Sequence, residues 1–210
     1  ETLLYKQDSS FLELKSSANV QYFIGRGFYI KGLYNFYNNR SFLSKPSNNK
    51  EYLNIRSNSY GMSLFKQKLD YLPNPSKGFL FSSELSFGNR NTMFYEDSLL
   101  KEKKSLTTRS KFCFEFYYPI FNRHIFHGLF SGEQLYANDL FNNELVRFGG
   151  LNSLRGFNEE ELFASANVSV LFEYRFLVDK NSNAFVFYNQ AWYENSTTSI
   201  YYNDYPFGFG

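Results

Sequence analysis

Arg155 lies in Leu154-Arg155-Gly156-Phe157, at the end of a stretch from Phe148 that also holds Gly149, Gly150, Asn152 and Ser153. Gly, Asn and Ser at this density mark a loop. Downstream, Asn167 to Phe176 has apolar residues at every even position and polar ones at the odd positions except Leu171. That alternation predicts a strand with one apolar face. The strand carries one carboxylate, Glu173, on its less apolar face. The chemistry on offer is recognition: a guanidinium is a planar fork of donors that can grip a carboxylate in two places. The same tetrapeptide also suits a solvated surface turn, because turns favour Gly for steric reasons alone. Both readings stand on the residues alone.

Other reactive side chains are sparse. His124 and His127 are the two histidines. In a strand, residues three apart point to opposite faces, so joint metal binding is not expected. The single cysteine, Cys113, excludes an internal disulfide and reads as an inert strand residue. There is no Ser-His-Asp arrangement, P-loop or Cys cluster, so neither enzyme, metal site nor cofactor is expected. Glu159, Glu160 and Glu161 read as solvated. The net charge of +2, with no continuous basic face interleaved with aromatics, gives no reason to expect nucleic acid.

The elements that would position these residues follow from an unusual composition. Aromatics make up 21%, with 26 Phe and 18 Tyr, yet mean hydropathy is -0.44. The rings alternate with polar residues or glycine. No apolar run approaches the roughly 20 residues of a membrane helix, but a membrane strand needs only about 10 alternating residues. The chain opens at Glu1 with neither Met nor a signal peptide, which reads as a removed leader or an internal piece.

Short strands are expected over residues 1–37, with breaks near 16–18 and 25–27. Further strands are expected over 55–71 (with a parity slip, read as a bulge, at Leu64-Phe65), 79–88, 106–118, 123–136, 167–176 and 184–194. Phe112, Phe114, Phe116 and Tyr118 face one way; Lys111, Cys113, Glu115 and Tyr117 face the other. Leu72-Pro73-Asn74-Pro75-Ser76-Lys77-Gly78 is a tight turn, since Pro fixes φ and Gly releases the chain. Pro119 to Asn122 and Val178 to Asn183 are also read as short turns. Residues 38–54, 89–105, 137–165 and 195–204 read as long polar loops, with the charge run at Lys101-Glu102-Lys103-Lys104 as a solvated tip. Short turns alternating with long loops are the rhythm of an outer-membrane barrel. Trp192 and Tyr193, near a strand end, suit an interfacial aromatic belt.

Several places taken together resemble the Omp85 superfamily, the barrels also called bacterial surface antigen D15. Asp70 to Gly78 resembles its Asp…Pro-x-x-Gly turn, and Phe148-Gly149-Gly150 the glycine pair opening its longest loop. Leu154-Arg155-Gly156-Phe157 resembles its Val-Arg-Gly-Phe loop motif. Phe172 to Phe176 and Phe187 to Trp192 resemble the two strands that follow. The likeness covers roughly residues 55 to 210. Asn189 stands where the family usually has aspartate, and Ala191 where it has glycine.

The resemblance implies an all-β transmembrane antiparallel barrel. Residues 1–210 would form a central-to-late part of it, about ten of sixteen strands, without the family's POTRA domains. It implies that Arg155 folds back into the lumen to meet Glu173 and the amide of Asn189. Leu154, Gly156 and Phe157 would complete this latch, with Gly149 and Gly150 shaping the loop. The implied activity is non-enzymatic: insertion of proteins into the bacterial outer membrane or translocation across it. Its partners would be outer-membrane lipids, client outer-membrane or secreted proteins and accessory lipoproteins. Two other readings remain open: a passive channel or anchor barrel, and a soluble β-sandwich binding module.

Overall fold

The computed structural model describes residues 2–7, 11–41, 53–96 and 99–210. The strands are β1 (Thr2–Gln7), β2 (Phe11–Gly25), β3 (Phe28–Ser41), β4 (Asn54–Leu69), β5 (Gly78–Glu96), β6 (Leu99–Phe121), β7 (His124–Ala137), β8 (Val146–Phe148), β9 (Leu162–Ala164), β10 (Ala166–Asp179), β11 (Ser182–Asn195), β12 (Ile200–Asp204) and β13 (Phe207–Phe209). A 3-10 turn spans Asn142–Glu144. The fold is all-β. An 11-stranded antiparallel sheet runs β1 to β7, then β10, β11 and β12, with β13 also on β11. β12 and β13 lie on one line: Ala191 faces Asp204 and Tyr188 faces Phe207 in unbroken register. Pro206 between them has no N–H to give the ladder, which splits the strand. The sheet is open, with β1 at one edge and β12 and β13 at the other. The second sheet among the described residues is the 2-stranded pair β8–β9, too small to face the first as a sandwich partner.

The two faces of the large sheet differ in kind. The exposed face carries Tyr22, Tyr60, Met62, Phe81, Phe112, Phe114, Phe172, Tyr174 and Tyr188. The covered face carries Glu13, Asn39, Ser63, Ser86, Arg90, Thr92, His127, Ser169, Glu173 and Asn189, all buried. Period-two alternation places the two sets on opposite sides. The rings form a continuous belt through cross-strand pairs: Phe79 with Phe116, Phe81 with Phe114, Phe114 with Phe130, and Phe172 with Tyr188. Gly128 and Gly132 interrupt it on β7. There the rings of Phe116 and Phe112 occupy the space where a Cβ would sit, at 2.3 Å and 2.4 Å, so aromatics fill the gaps left by the glycines.

The sheet curves toward its polar face. The β4–β5 turn touches the β10–β11 turn, although β5 and β10 are separated by β6 and β7. Asn74 Nδ2 donates to Lys180 O at 3.3 Å, Asn183 Nδ2 donates to Asn74 Oδ1 at 2.9 Å, and Tyr71 OH donates to Asn181 Oδ1 at 2.8 Å. A flat sheet would hold those turns roughly 15 Å apart at the usual strand spacing.

Several element boundaries differ from expectation. β2 runs unbroken through residues 16–18. β4 passes Leu64 and Phe65 in regular register, with no bulge. β3 continues to Ser41, inside the expected 38–54 loop, whose residues 42–52 lie outside the described residues. Residues 89–105 belong mostly to a long hairpin: β5 and β6 pair as far out as Glu96 and Leu99. The run Lys101 to Lys104 is therefore strand, and Lys103 Nζ pairs with Asp139 at 2.5 Å. Pro119 to Phe121 extends β6, so the β6–β7 turn is residues 122–123. The expected 195–204 loop is strand from Ile200. In each polar stretch, backbone pairing continues past the point where alternation stops.

Candidate functional site

The 138–165 connection lies on the polar face and is tied to strands at both sides of the trough. Its glycine turn is built locally. Gly149, Gly150 and Gly156 have φ of 121°, 91° and 95°, the left-handed region that side chains resist. Ser153 Oγ accepts from Gly149 N at 2.8 Å and donates to Gly149 O at 2.7 Å. Gly150 N donates to Leu154 O at 3.1 Å. Leu154 is fully buried, in a cluster with Phe148, Ala164, Ala191 and Tyr193, with Phe157 packed against it. That cluster holds the backbone on either side of Arg155.

Arg155 Nη1 donates to Glu173 Oε2 on β10. Its guanidinium also lies 5.1 Å from the Phe185 ring and 5.0 Å from the Phe187 ring on β11, within cation–π range. Glu173 has further partners. Arg175 Nε donates to it, and His127 Nδ1 lies 3.4 Å from its Oε1. His127 stacks on Tyr117 at 4.5 Å, with Nε2 3.0 Å from Glu115 Oε1. Arg175 Nη2 meets His127 Nδ1 at 3.0 Å. The result is a row of polar contacts from Glu115 through His127, Arg175 and Glu173 to Arg155, across β6, β7, β10 and the loop.

Asn189 is placed differently from the expected amide contact with Arg155. Its Nδ2 donates to Ser153 O at 3.2 Å, and its Oδ1 is buried without a partner. It holds the loop backbone two residues before the arginine. Tyr193 is also on the inner face, where it packs on Phe148 at 5.0 Å and donates to Asp204 Oδ2 at 2.8 Å. Only Trp192 of that expected pair faces outward, 45% exposed. Glu159 and Glu161 are exposed yet ordered as acceptors, from Leu151 N at 3.0 Å and Asn158 N at 2.7 Å, and Glu160 lies 3.5 Å from Arg147 Nε.

The other end of the loop is held by residues that the motif does not contain. Arg90 on β5 is buried, and all five of its N–H groups have acceptors: Glu144 Oε2 at 2.8 Å, Glu144 Oε1 at 2.5 Å, Ser105 Oγ at 3.2 Å, Asn138 O at 3.1 Å and Asp139 O at 3.0 Å. Asn143 donates to Asn39 Oδ1 at 2.8 Å and to Leu53 O at 2.7 Å, while its own carbonyl accepts from Tyr37 OH at 2.9 Å. Arg147 Nη2 donates to Glu13 Oε2 on β2. The loop thus spans the concave face from β2 to β11. Of these anchors only Glu13 carries a signal in the sequence, a carboxylate between Leu12 and Leu14; Asn39 and Arg90 have polar neighbours on both sides, so parity does not mark them.

A cavity of about 400 Å³ lies between the loop and the β2–β6 wall, lined among others by Lys15, Ser17, Ser57, Ser59, Glu84 and Arg109. His124 is on the outer face, with Nδ1 2.5 Å from Tyr174 OH, so the two histidines are on opposite sides. Among the described residues no group of three His, Cys, Asp or Glu side chains could hold a metal ion. Cys113 is a free, half-buried thiol. The arrangement braces the loop against the strands. Comparison with protein-family models and with curated proteins finds no match for this chain.

Proposed function

We propose that the chain is the central-to-late part of an Omp85-like outer-membrane barrel that inserts proteins into the outer membrane or moves them across it, with the 148–157 loop latched in the lumen. The observation that carries this reading is the two-faced sheet with Arg155 on its polar side. Rings fill the exposed face, charges fill the covered one, and a glycine-shaped loop returns its arginine to Glu173. In hydrocarbon every backbone group must find a partner, which antiparallel strand pairing supplies. The open edges of the sheet then need further strands beside them. A bacterial outer membrane, client polypeptides and accessory lipoproteins belong to this reading.

The test is reconstitution of the protein in phospholipid vesicles, with an unfolded outer-membrane client added and its folding followed. The reading expects client folding faster than in empty vesicles, slowed by Arg155→Glu. Equal rates with and without the protein would refute the insertase reading. The cavity beside the loop favours a second reading, a passive polar channel, which predicts ion conductance with no effect on client folding.

A further inference from the structure

The short turns gather a charge that no single stretch of sequence displays. Arg26, Lys77, Arg123 and Lys180 stand one on each of the β2–β3, β4–β5, β6–β7 and β10–β11 turns, all at the same end of the sheet and all exposed. Lys66 and Lys68 join them on the outer face of β4, opposite Phe81 and Phe79. The carboxylates at this end are Asp70 and Asp179. Asp70 is occupied, accepting from Ser76 N at 3.0 Å and Lys77 N at 3.1 Å. Among the described residues none of the six bases is in an ion pair; Lys180 instead lies 4.7 Å over the Tyr71 ring and Lys66 5.9 Å over the Phe79 ring. At the opposite end, by contrast, Lys103 is paired with Asp139. Directly inward from the basic rim lie exposed apolar residues: Tyr118, Phe121, Tyr174, Phe176 and Val178.

From this layering we propose that the short-turn rim binds the phosphates of anionic phospholipids in the leaflet it faces. The inference rests on the membrane reading above. A lipid surface fits better than an acidic protein because the bases are spread one per turn around a curved rim, with rings behind them at the depth of acyl chains. Snorkelling bases above an aromatic girdle match a headgroup layer, whereas a protein partner would be expected to meet one clustered patch.

The experiment is urea unfolding, in vesicles of phosphatidylcholine with and without three parts in ten of phosphatidylglycerol, of the complete barrel to which this chain contributes its strands. It compares the wild type with R26N/K66Q/K68Q/K77Q/R123N/K180Q, which removes all six bases. Arg26 and Arg123 have φ of 52° and 68°, which Asn tolerates, so the variant keeps its turns. The wild type is expected to gain roughly tenfold or more in its folding equilibrium from phosphatidylglycerol, given about fivefold per base near an anionic surface. The variant and molar salt should each abolish that gain. Insertion without such a gain, or a gain kept by the variant, would overturn the lipid assignment while leaving the membrane reading intact. Failure to insert into either vesicle would instead sink the membrane reading. Binding of polyglutamate to the inserted wild type, with no response to phosphatidylglycerol, would assign the rim to an acidic protein and overturn the proposal.

Discussion

Arg155 and Glu173 come from different elements, a glycine-shaped loop and the middle of β10, and meet through a direct guanidinium–carboxylate contact with Phe185 and Phe187 beside the cation. Glu173 is the more deeply committed partner, since its side chain is 1% exposed and also serves Arg175.

That asymmetry gives a ranked prediction. Arg155→Gln removes one charged hydrogen bond and should cost about 1.5–3 kcal/mol. Glu173→Gln leaves two guanidinium groups short of an anion and should cost about 3–5 kcal/mol. Urea midpoints of the singles and the double should be clearly non-additive. Reversal to Arg155→Glu with Glu173→Arg should recover only part of the loss, because Arg175 would then face a cation. Additive single losses would mean that the two residues are not coupled.

Arg90 anchors the opposite side of the loop with every donor satisfied. Arg90→Lys offers three donors in place of the five-donor fork and should release the Asn138–Glu144 segment. Arg90→Ala leaves Glu144 buried without its cation, a loss of about 3–5 kcal/mol. Limited proteolysis should cut within 138–147 in both variants and not in the wild type. Equal resistance in all three proteins would remove Arg90 from the account.

Gly150 has φ of 91°, and an added Cβ would fall 2.1 Å from the Glu159 carboxyl carbon. Gly150→Ala should destabilise by about 1–3 kcal/mol through backbone strain. It should also displace Glu159 from Leu151 N, read as faster hydrogen exchange at Leu151. An unchanged exchange rate there would contradict the placement of the turn.

Asp70 gives a pH dependence outside the strands. Burial raises its carboxyl, but hydrogen bonds from the Ser76 hydroxyl and the Lys77, Ser76 and Tyr71 backbone outweigh it and hold the pKa below the ordinary value. A depressed folded-state pKa contributes stability above the unfolded value, near 3.9, and that contribution is lost as pH falls through the folded one. The amide shifts of Ser76 and Lys77 should therefore move with a midpoint below 3.9 in the wild type and stay flat in Asp70→Asn. A midpoint above the ordinary value would reverse the assignment.

How far the sequence announced this structure depends on the residue. Phe112 to Tyr118 and Asn167 to Phe176 alternate because one side of each is apolar and the other polar, and both are strands. The β5–β6 extension carries Arg90, Asn91, Lys103 and Lys104, polar on both faces, so alternation vanishes while backbone pairing persists. The glycine loop was legible from Gly149, Gly150 and Gly156, whereas Asn39 and Asn143, 104 residues apart, join only through the curvature of the sheet. The partner of Asn189 cannot be read from its residue type, because a side-chain amide donates to a loop carbonyl, here Ser153 O, as readily as it accepts from an arginine.

Trp192 is the sole tryptophan and sits on the ring-bearing face, 45% exposed. Its fluorescence in vesicles tests the orientation of the whole sheet. Lipids brominated on their acyl chains should quench the emission strongly, while aqueous acrylamide should barely touch it. In F187W/W192F, with the reporter moved to the Arg155 side, bromine should have little effect. Trp192 quenched by acrylamide and indifferent to brominated lipid would contradict an outward apolar face, and with it the barrel.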